Sequence, residues 1–187
     1  MNEVFETIYN RRSIRAYKNE QIPDDMIKEV LKAGFHAANG VNAQALRFTV
    51  VSDREKIKTY SDKGKKLYLE DMKAAGYEND HLRRKLEGDD NLFFNAPTVI
   101  FVFADKSGLT VVEDASLAIG NMMLAAKSLG MGTCWIGLAG SLSRDGDFVR
   151  ETGSEGMRHL GSLIIGYPSK EPGPSVRGEV QILKWIK

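Results

Sequence analysis

The sequence predicts a mixed α/β layered domain rather than a regular βαβ repeat. Three observations carry that expectation. The chain opens on two segments with helical spacing. Apolar strand-like runs then recur at uneven intervals, without a helix between each pair. Finally, the segment VVEDASLAIGNMMLAAKSL (111–129) is apolar around nearly its whole circumference.

Taken in order, residues 2–10 place Val4, Phe5, Ile8 and Tyr9 on one helical face. Pro23 followed by Asp24 and Asp25 predicts a helix start, with proline at the first position and acids in the first turn. Met26, Ile27, Val30, Leu31 and Gly34 continue one face of that helix toward His36. RFTVV (47–51) reads as a strand, and Ser52-Asp53 both end it and cap the next helix. A charged helical excursion follows at about 54–92, with KGKK (63–66) and HLRRK (81–85). Without interleaved aromatic residues, these runs read as a solvated surface rather than a nucleic-acid patch. Asn95-Ala96-Pro97 breaks the chain before TVIFVFA (98–104), a fully buried strand. The apolar helix at 111–129 is the longest helix candidate. A helix of that kind is covered on all sides, by its own core or by another chain. Gly130 is its expected C′ residue. TCWIG (133–137) is a buried strand entering a glycine-containing loop, HLGSLIIGY (159–167) a strand stopped by Pro168, and KEPGPS (170–175) an extended loop. EVQILKWI (179–186) alternates as a final strand. No internal repeat or domain boundary is visible, so residues 1–187 read as one domain.

Bulk composition removes several function classes. Lys+Arg of 26 against Asp+Glu of 25 leaves no global field for nucleic acid or acidic lipid. No run reaches the roughly 18–20 apolar residues of a membrane span. The N-terminus does not read as a signal peptide, and the cytoplasm is the expected location. Cys134 is the single cysteine, and His36, His81 and His159 show no ligand spacing, so no metal site is expected. Neither GxGxxG after a strand nor GxxxxGK[ST] occurs.

Against that neutral background, NRRSIRAY (10–17) concentrates Arg11, Arg12 and Arg15 around Ser13. In an extended segment Arg11, Ser13 and Arg15 point the same way. Forked guanidinium donors and a hydroxyl suit a phosphate monoester; an exposed charged turn is the plainer alternative. AANGVNAQALRF (37–48) clusters Asn39, Asn42 and Gln44, whose neutral donors and acceptors suit a heteroaromatic edge, unless they form only Asx turns. GMGTCWIGLAG (130–140) lets backbone approach a flat ligand, with N–H groups at Ile136, Gly137 and Leu138, or is simply a buried strand and turn. Cys134 sits among apolar neighbours and reads as inert. Arg177 stands alone in a late extended loop.

The ordered set of R-R-S-x-R, N-x-Q before a strand, the run DASLAIGNMMLAAKSLGMGTCWIG (114–137), G-Y-P and a late arginine resembles the nitroreductase family. The resemblance covers about residues 3–186. It implies an α+β fold, with a central mixed, mostly antiparallel sheet flanked by helices and a C-terminal strand exchanged between subunits. It further implies a homodimer with FMN at the interface. By position, Arg11, Arg12, Ser13 and Arg15 would hold the phosphate and ribityl side, with Arg15 also near the pyrimidine edge. Asn42 and Gln44 would come from the partner subunit to the ribityl chain or ring, Asn39 would stand as a cofactor-binding polar group where the family has a serine, Ile136, Gly137 and Leu138 would line the isoalloxazine, and Arg177 would close on the phosphate. The implied activity passes a hydride from NADH or NADPH through flavin N5 to a small electron-poor acceptor such as a nitro-aromatic or quinone. No catalytic side chain is required. The alternatives are another acceptor chemistry, such as reductive dehalogenation or ring oxidation, and a non-catalytic flavin-binding dimer. One segment departs from the family pattern. P-S-x-x-N-x-Q-P-W is replaced here by A-N-G-V-N-A-Q-A-L (38–46), so Ala45-Leu46 stands for Pro-Trp and the backbone there loses a restraint.

Overall fold

Four strands form one sheet in the order β1-β2-β4-β3. They are β1 (Leu46–Val51), β2 (Thr98–Asp105), β3 (Gly132–Trp135) and β4 (Met157–Gly166). The computed structural model describes residues 2–105 and 108–187. Helices α1 (Glu3–Asn10), α2 (Asp24–Phe35), α3 (Arg54–Ala74), α4 (Asp80–Glu87), α5 (Val111–Ser128) and α6 (Gly146–Thr152) surround the sheet.

The apolar run of β2 explains its central place. Every residue from Thr98 to Ala104 is buried, and alternation sends them to two different cores. Ile100, Val102 and Ala104 join Leu163 and Ile165 of β4 beneath α2 and α5, where Val30, Ala118, Ile119 and Met122 are fully buried. Val99, Phe101 and Phe103 face the other side, with Tyr60, Phe93, Phe148 and Cys134. Phe101 meets Tyr60, Phe93 and Phe148 edge-on, at 6.0, 6.0 and 5.0 Å between centroids. An α/β/α sandwich results, built on an antiparallel sheet because helices cover both faces.

Local chemistry sets the helix ends. Asn2 caps α1 through Phe5 N–H, Asp53 caps α3 through Lys56 N–H, and Asp145 caps α6 through Phe148 N–H. Pro23 is the residue just before α2, one position earlier than expected, with Asp24 and Asp25 in the first turn. Gly130 follows α5 at φ 77°, the left-handed C′ position its sequence predicted.

Four expectations are revised. The four strands pair antiparallel throughout, and the parallel component among the described residues is a single bridge, Ser13 to Thr133. Among the described residues EVQILKWI pairs with no strand of its own chain. Its backbone has no neighbouring strand to bond, and Val180, Leu183, Trp185 and Ile186 are exposed. The longest helix is α3, with 21 residues against 18 in α5, because charged residues sustain a helix as readily as apolar ones. The stretch after TCWIG is not simply a loop: Gly137–Arg144 is a 3₁₀ segment leading into α6. In addition, α5 buries one face, while Val112 and Leu117 remain exposed on it. No residue of α1 is buried. Among the described residues, no helix is long and apolar enough to cross a membrane.

Candidate functional site

The arginine segment is an irregular strand laid along β3. Ser13 bridges Thr133, and Ile14 N–H donates to Thr133 O at 2.9 Å. Further on, Lys18 N–H donates to Tyr167 O at 2.8 Å, and the Tyr17 hydroxyl donates to Ile14 O at 2.7 Å. Burial of Tyr17 pushes its phenol far above the ordinary range, so it stays a neutral donor. Ile14 is buried and fills the space above Gly132. A Cβ on Gly132 would lie 2.4 Å from the Ile14 side chain, so glycine is required for this close approach.

With Ile14 turned inward, Arg11, Ser13 and Arg15 gather near Cys134. Burial pushes the Cys134 thiol up, while the Arg15 charge, a hydrogen bond with Ser13 and the Arg11 charge pull the other way. The net upward shift keeps the thiol protonated at neutral pH, in keeping with an inert cysteine. Arg11 Nη1 is buried without a hydrogen-bond partner among the described residues. A buried guanidinium nitrogen left unpaired is costly, and an anionic oxygen would satisfy it. Arg12 behaves differently from its neighbours. Its Nη1 folds back to donate to Tyr9 O at 2.7 Å and Arg11 O at 2.8 Å, so it caps the C-terminus of α1.

Arg15 forms one wall of a cleft of about 210 Å³. Its guanidinium lies 5.7 Å from the Phe94 ring centroid. Cys134, Ile136, Gly137 and Leu138 line the cleft, and Lys65, Leu82, Lys85 and Leu86 of the helical excursion close its far side. Ile136 N–H is already committed to Ser162 O at 2.8 Å, so it offers no donor to a ligand. Gly137 and Leu138 open the 3₁₀ segment, where N–H groups have no partner within the helix. That segment is held from α3: Ser141 donates to Asp71 at 2.6 Å, and Arg144 donates to Leu67 O and to Asp71 at 2.8 Å each. A cation at one end, an apolar floor and two free N–H groups suit a flat heteroaromatic ring. A larger hollow of about 470 Å³ lies near Asn95 and Ala96. Its lining intersperses Lys18, Arg54 and Lys58 with Glu55, Asp62 and Asp89, so these charges balance and leave no net cation for a phosphate.

The amide cluster sits elsewhere. Gln44 N–H donates to Asn39 Oδ1 at 3.1 Å, and Gln44 Nε2 donates to Asn42 Oδ1 at 3.2 Å. Val41, Asn42 and Gln44 are all left-handed, with φ of 48°, 54° and 49°. Asn39 and Gln44 border a small hollow beside Gly34, Phe35 and Asp114, and no amide of the cluster lines the arginine cleft. Arg177 lies in the exposed C-terminal arm. Within one chain, then, Arg15 and 136–138 share the cleft, Arg11 and Ser13 meet Arg15 at Cys134 while Arg11 also borders a small separate hollow with Lys127 and Glu171, and Asn39, Asn42, Gln44 and Arg177 stay apart from them.

Sequence reasoning missed Phe94, Lys65, Leu82, Lys85 and Leu86 as cleft residues. The runs KGKK and HLRRK were visible as charge, but only the packing of α3 and α4 carries two of their lysines to this cleft. Tyr17 and Asp114 gave no signal beyond their ordinary residue types.

The model of the nitroreductase family matches residues 8–167. A protein of Archaeoglobus fulgidus described as a putative NADH dehydrogenase/NAD(P)H nitroreductase is 30% identical, over 91% of this chain and 88% of its own. An iodotyrosine deiodinase of Thermotoga neapolitana is 29% identical over 96% of both chains. The crystal structure of an FMN-bound nitroreductase from Bacteroides fragilis superposes with a TM-score of 0.84, covering 98% of this chain and 100% of that one at 30% identity. With helices on both faces of its antiparallel sheet and a match across most of its length, this chain belongs to the nitroreductase family of flavin-dependent oxidoreductases.

Proposed function

We propose that this protein is an FMN-dependent NAD(P)H oxidoreductase acting on a small electron-poor acceptor. One observation carries the reading: Arg11 Nη1 is buried without a partner among the described residues, and Arg11, Ser13 and Arg15 converge on Cys134, which together with Arg15 lines a cleft sized for a planar ring. Arg11 and Ser13 would hold the cofactor phosphate. Arg15 would hold the pyrimidine edge, where a fixed cation favours electron-rich states of a flavin. Gly137 and Leu138 N–H would approach the ring. FMN, when bound, supplies the hydride chemistry; the protein binds, orients and shields it. Arg12 contributes by fixing the end of α1 rather than by direct contact.

The functional unit is a homodimer. The exposed α1 face (Val4, Phe5, Ile8, Tyr9), the open side of α5 and the apolar C-terminal arm are surfaces that a second copy would cover. Asn42, Gln44 and Arg177, which one chain leaves away from the cleft, would then reach it from the partner. Exchange of EVQILKWI onto the partner would give its unpaired backbone a sheet edge.

Purified protein should be yellow and bleach on addition of NADH or NADPH under argon. A colourless protein that neither takes up FMN nor oxidises either nicotinamide would overturn the proposal. FMN uptake without bleaching would favour a flavin-binding dimer instead. Likeness to the Thermotoga deiodinase supports a second acceptor class, halogenated phenols. There the carbon–halogen bond would break, with two electrons and a proton replacing halide by hydrogen. Iodide release from an iodinated phenol under reducing, anaerobic conditions, compared with reduction of a nitro-aromatic, separates the two.

A further inference from the structure

The amide loop needs an external hold. Three non-glycine residues within four positions are left-handed, a conformation costing roughly 1–2 kcal/mol each relative to the right-handed form. Val41 is β-branched and 99% exposed, so no packing of its own offsets that cost. Ala45-Leu46 also lacks the proline that would restrict the backbone.

The hold is Asp114, in the first turn of α5 and only 4% exposed. One carboxylate oxygen accepts Gly40 N–H at 3.0 Å; the other accepts the Thr110 hydroxyl at 3.1 Å. Among the described residues, the bond to Gly40 is the one hydrogen bond tying residues 39–44 to a distant element. Gly40 is pressed against the clasp, where an added Cβ would lie 2.2 Å from Thr110 Oγ1. A carboxylate in the first turn also sits favourably with the helix dipole. Each oxygen of this buried carboxylate thus has a donor, and one of the two donors belongs to the loop.

We infer that Asp114 is a positioning residue for the cofactor: through Gly40 it sets the strained loop from which Asn42 and Gln44 reach FMN across the dimer. The inference rests on the cofactor reading given above for those two amides. Asp114 itself touches no cofactor atom. It acts by fixing, before FMN arrives, a conformation that the cofactor would otherwise have to impose.

The test measures FMN affinity of reconstituted dimer by fluorescence titration, with the melting temperature of the apo protein alongside. Asp114→Ala should weaken FMN about tenfold, as expected for losing a charge-assisted bond. Asp114→Asn should restore most of it, since its carboxamide oxygen still accepts Gly40 N–H and its NH₂ can donate to Thr110. Adding Asp114→Ala to the double variant Asn42→Ala/Gln44→Ala should cause little further loss, because the residues act in series. A full additive loss would mean that Asp114 matters only to general stability and would overturn the inference. Normal affinity in Asp114→Ala, with loss in the double variant, overturns it alone. Normal affinity in Asn42→Ala/Gln44→Ala overturns the amide reading, and this inference with it. Should Asp114→Ala not fold, Gly40→Ala decides: it displaces the loop with Asp114 intact, and unchanged FMN affinity there refutes the clasp.

Discussion

The two halves of the candidate site are built on opposite principles. The arginine segment is relaxed. Its backbone is bonded at Ile14 to Thr133 of β3 and at Lys18 to Tyr167 just after β4, with the buried Ile14 side chain packed over Gly132. The amide loop is strained, with left-handed residues at 41, 42 and 44, and a single carboxylate joins it to a distant helix. The cations proposed to hold a phosphate are thus carried on backbone bonded to the sheet, while neutral amides ride on a part held by one clasp. The contrast makes physical sense. A guanidinium nitrogen buried without a partner needs a scaffold able to bear its cost, whereas amides can satisfy one another until a ligand arrives.

The largest effect expected from breaking this comparison lies on the arginine side. Arg11→Ala or Arg15→Ala should weaken FMN by roughly ten- to hundredfold, as for contacts of about 1.5–3 kcal/mol to a charged group. Arg12→Ala should cost much less affinity and appear instead as fraying of α1, because its Nη1 serves the Tyr9 and Arg11 carbonyls. Equal losses for Arg11→Ala and Arg12→Ala in the same titration would contradict the assignment.

Next comes the scaffold itself. Gly132→Ala places a methyl group 2.4 Å from Ile14 Cγ1 and 2.9 Å from Pro168. Overpacking of this kind costs about 1–3 kcal/mol. It should lower the melting temperature and FMN affinity together, since the arginine segment has to lift from β3. A stable variant with intact affinity would show that this segment is not held as described.

The strained side predicts a smaller change of opposite sign. Val41→Gly removes a left-handed β-branched residue with no buried contacts. It should stabilise the apo protein by about 0.5–1 kcal/mol, the relief of strain less the entropy that glycine adds to the unfolded chain. Destabilisation on thermal melting would mean that the loop is not strained there.

The smallest effect should not distinguish the halves at all. His159 of β4 sits among Phe101, Phe103 and Phe148, its Nε2 within 3.1 Å of Gly161 O and 3.0 Å of Ser162 Oγ. Burial lowers its pKa below the ordinary value of 6.5. A histidine held neutral when folded binds a proton more readily when unfolded. Its contribution is therefore complete above about pH 6.5 and is lost as pH falls through the depressed folded pKa. Melting temperature should start to decline below about pH 6.5, and His159→Gln should flatten that part of the profile. A profile unchanged by His159→Gln would show that another group titrates.

Much of the fold was legible because its signals are local. TVIFVFA is apolar at every position, and only a central strand covered on both faces accommodates that. Proline at 23, glycine at 130 and Asp53 mark helix ends through chemistry confined to one turn. EVQILKWI alternates like a strand, yet pairs with none of its own chain among the described residues, since a strand exists only through its neighbour. Within the site, Arg11, Ser13 and Arg15 could be placed on one side from the extended period alone. Withdrawal of Arg12 to cap α1, use of Ile136 N–H by Ser162, and closure of the cleft by Lys65 and Lys85 could not, because each depends on a partner distant in sequence or on a packing angle.

By itself, the amino-acid sequence determined the residue types that make a flavin site possible: forked cations around a hydroxyl, clustered amides and a glycine-rich strand end. It determined the helices and strands through period, caps and apolar runs, all of which act over a few residues. The tertiary structure alone decided which donors are free and which are spent, and that a buried aspartate on α5 grips a loop 74 residues earlier in the chain. Hydrogen-bond availability and backbone strain are set by what folding brings within about 3 Å, and no local pattern encodes that distance.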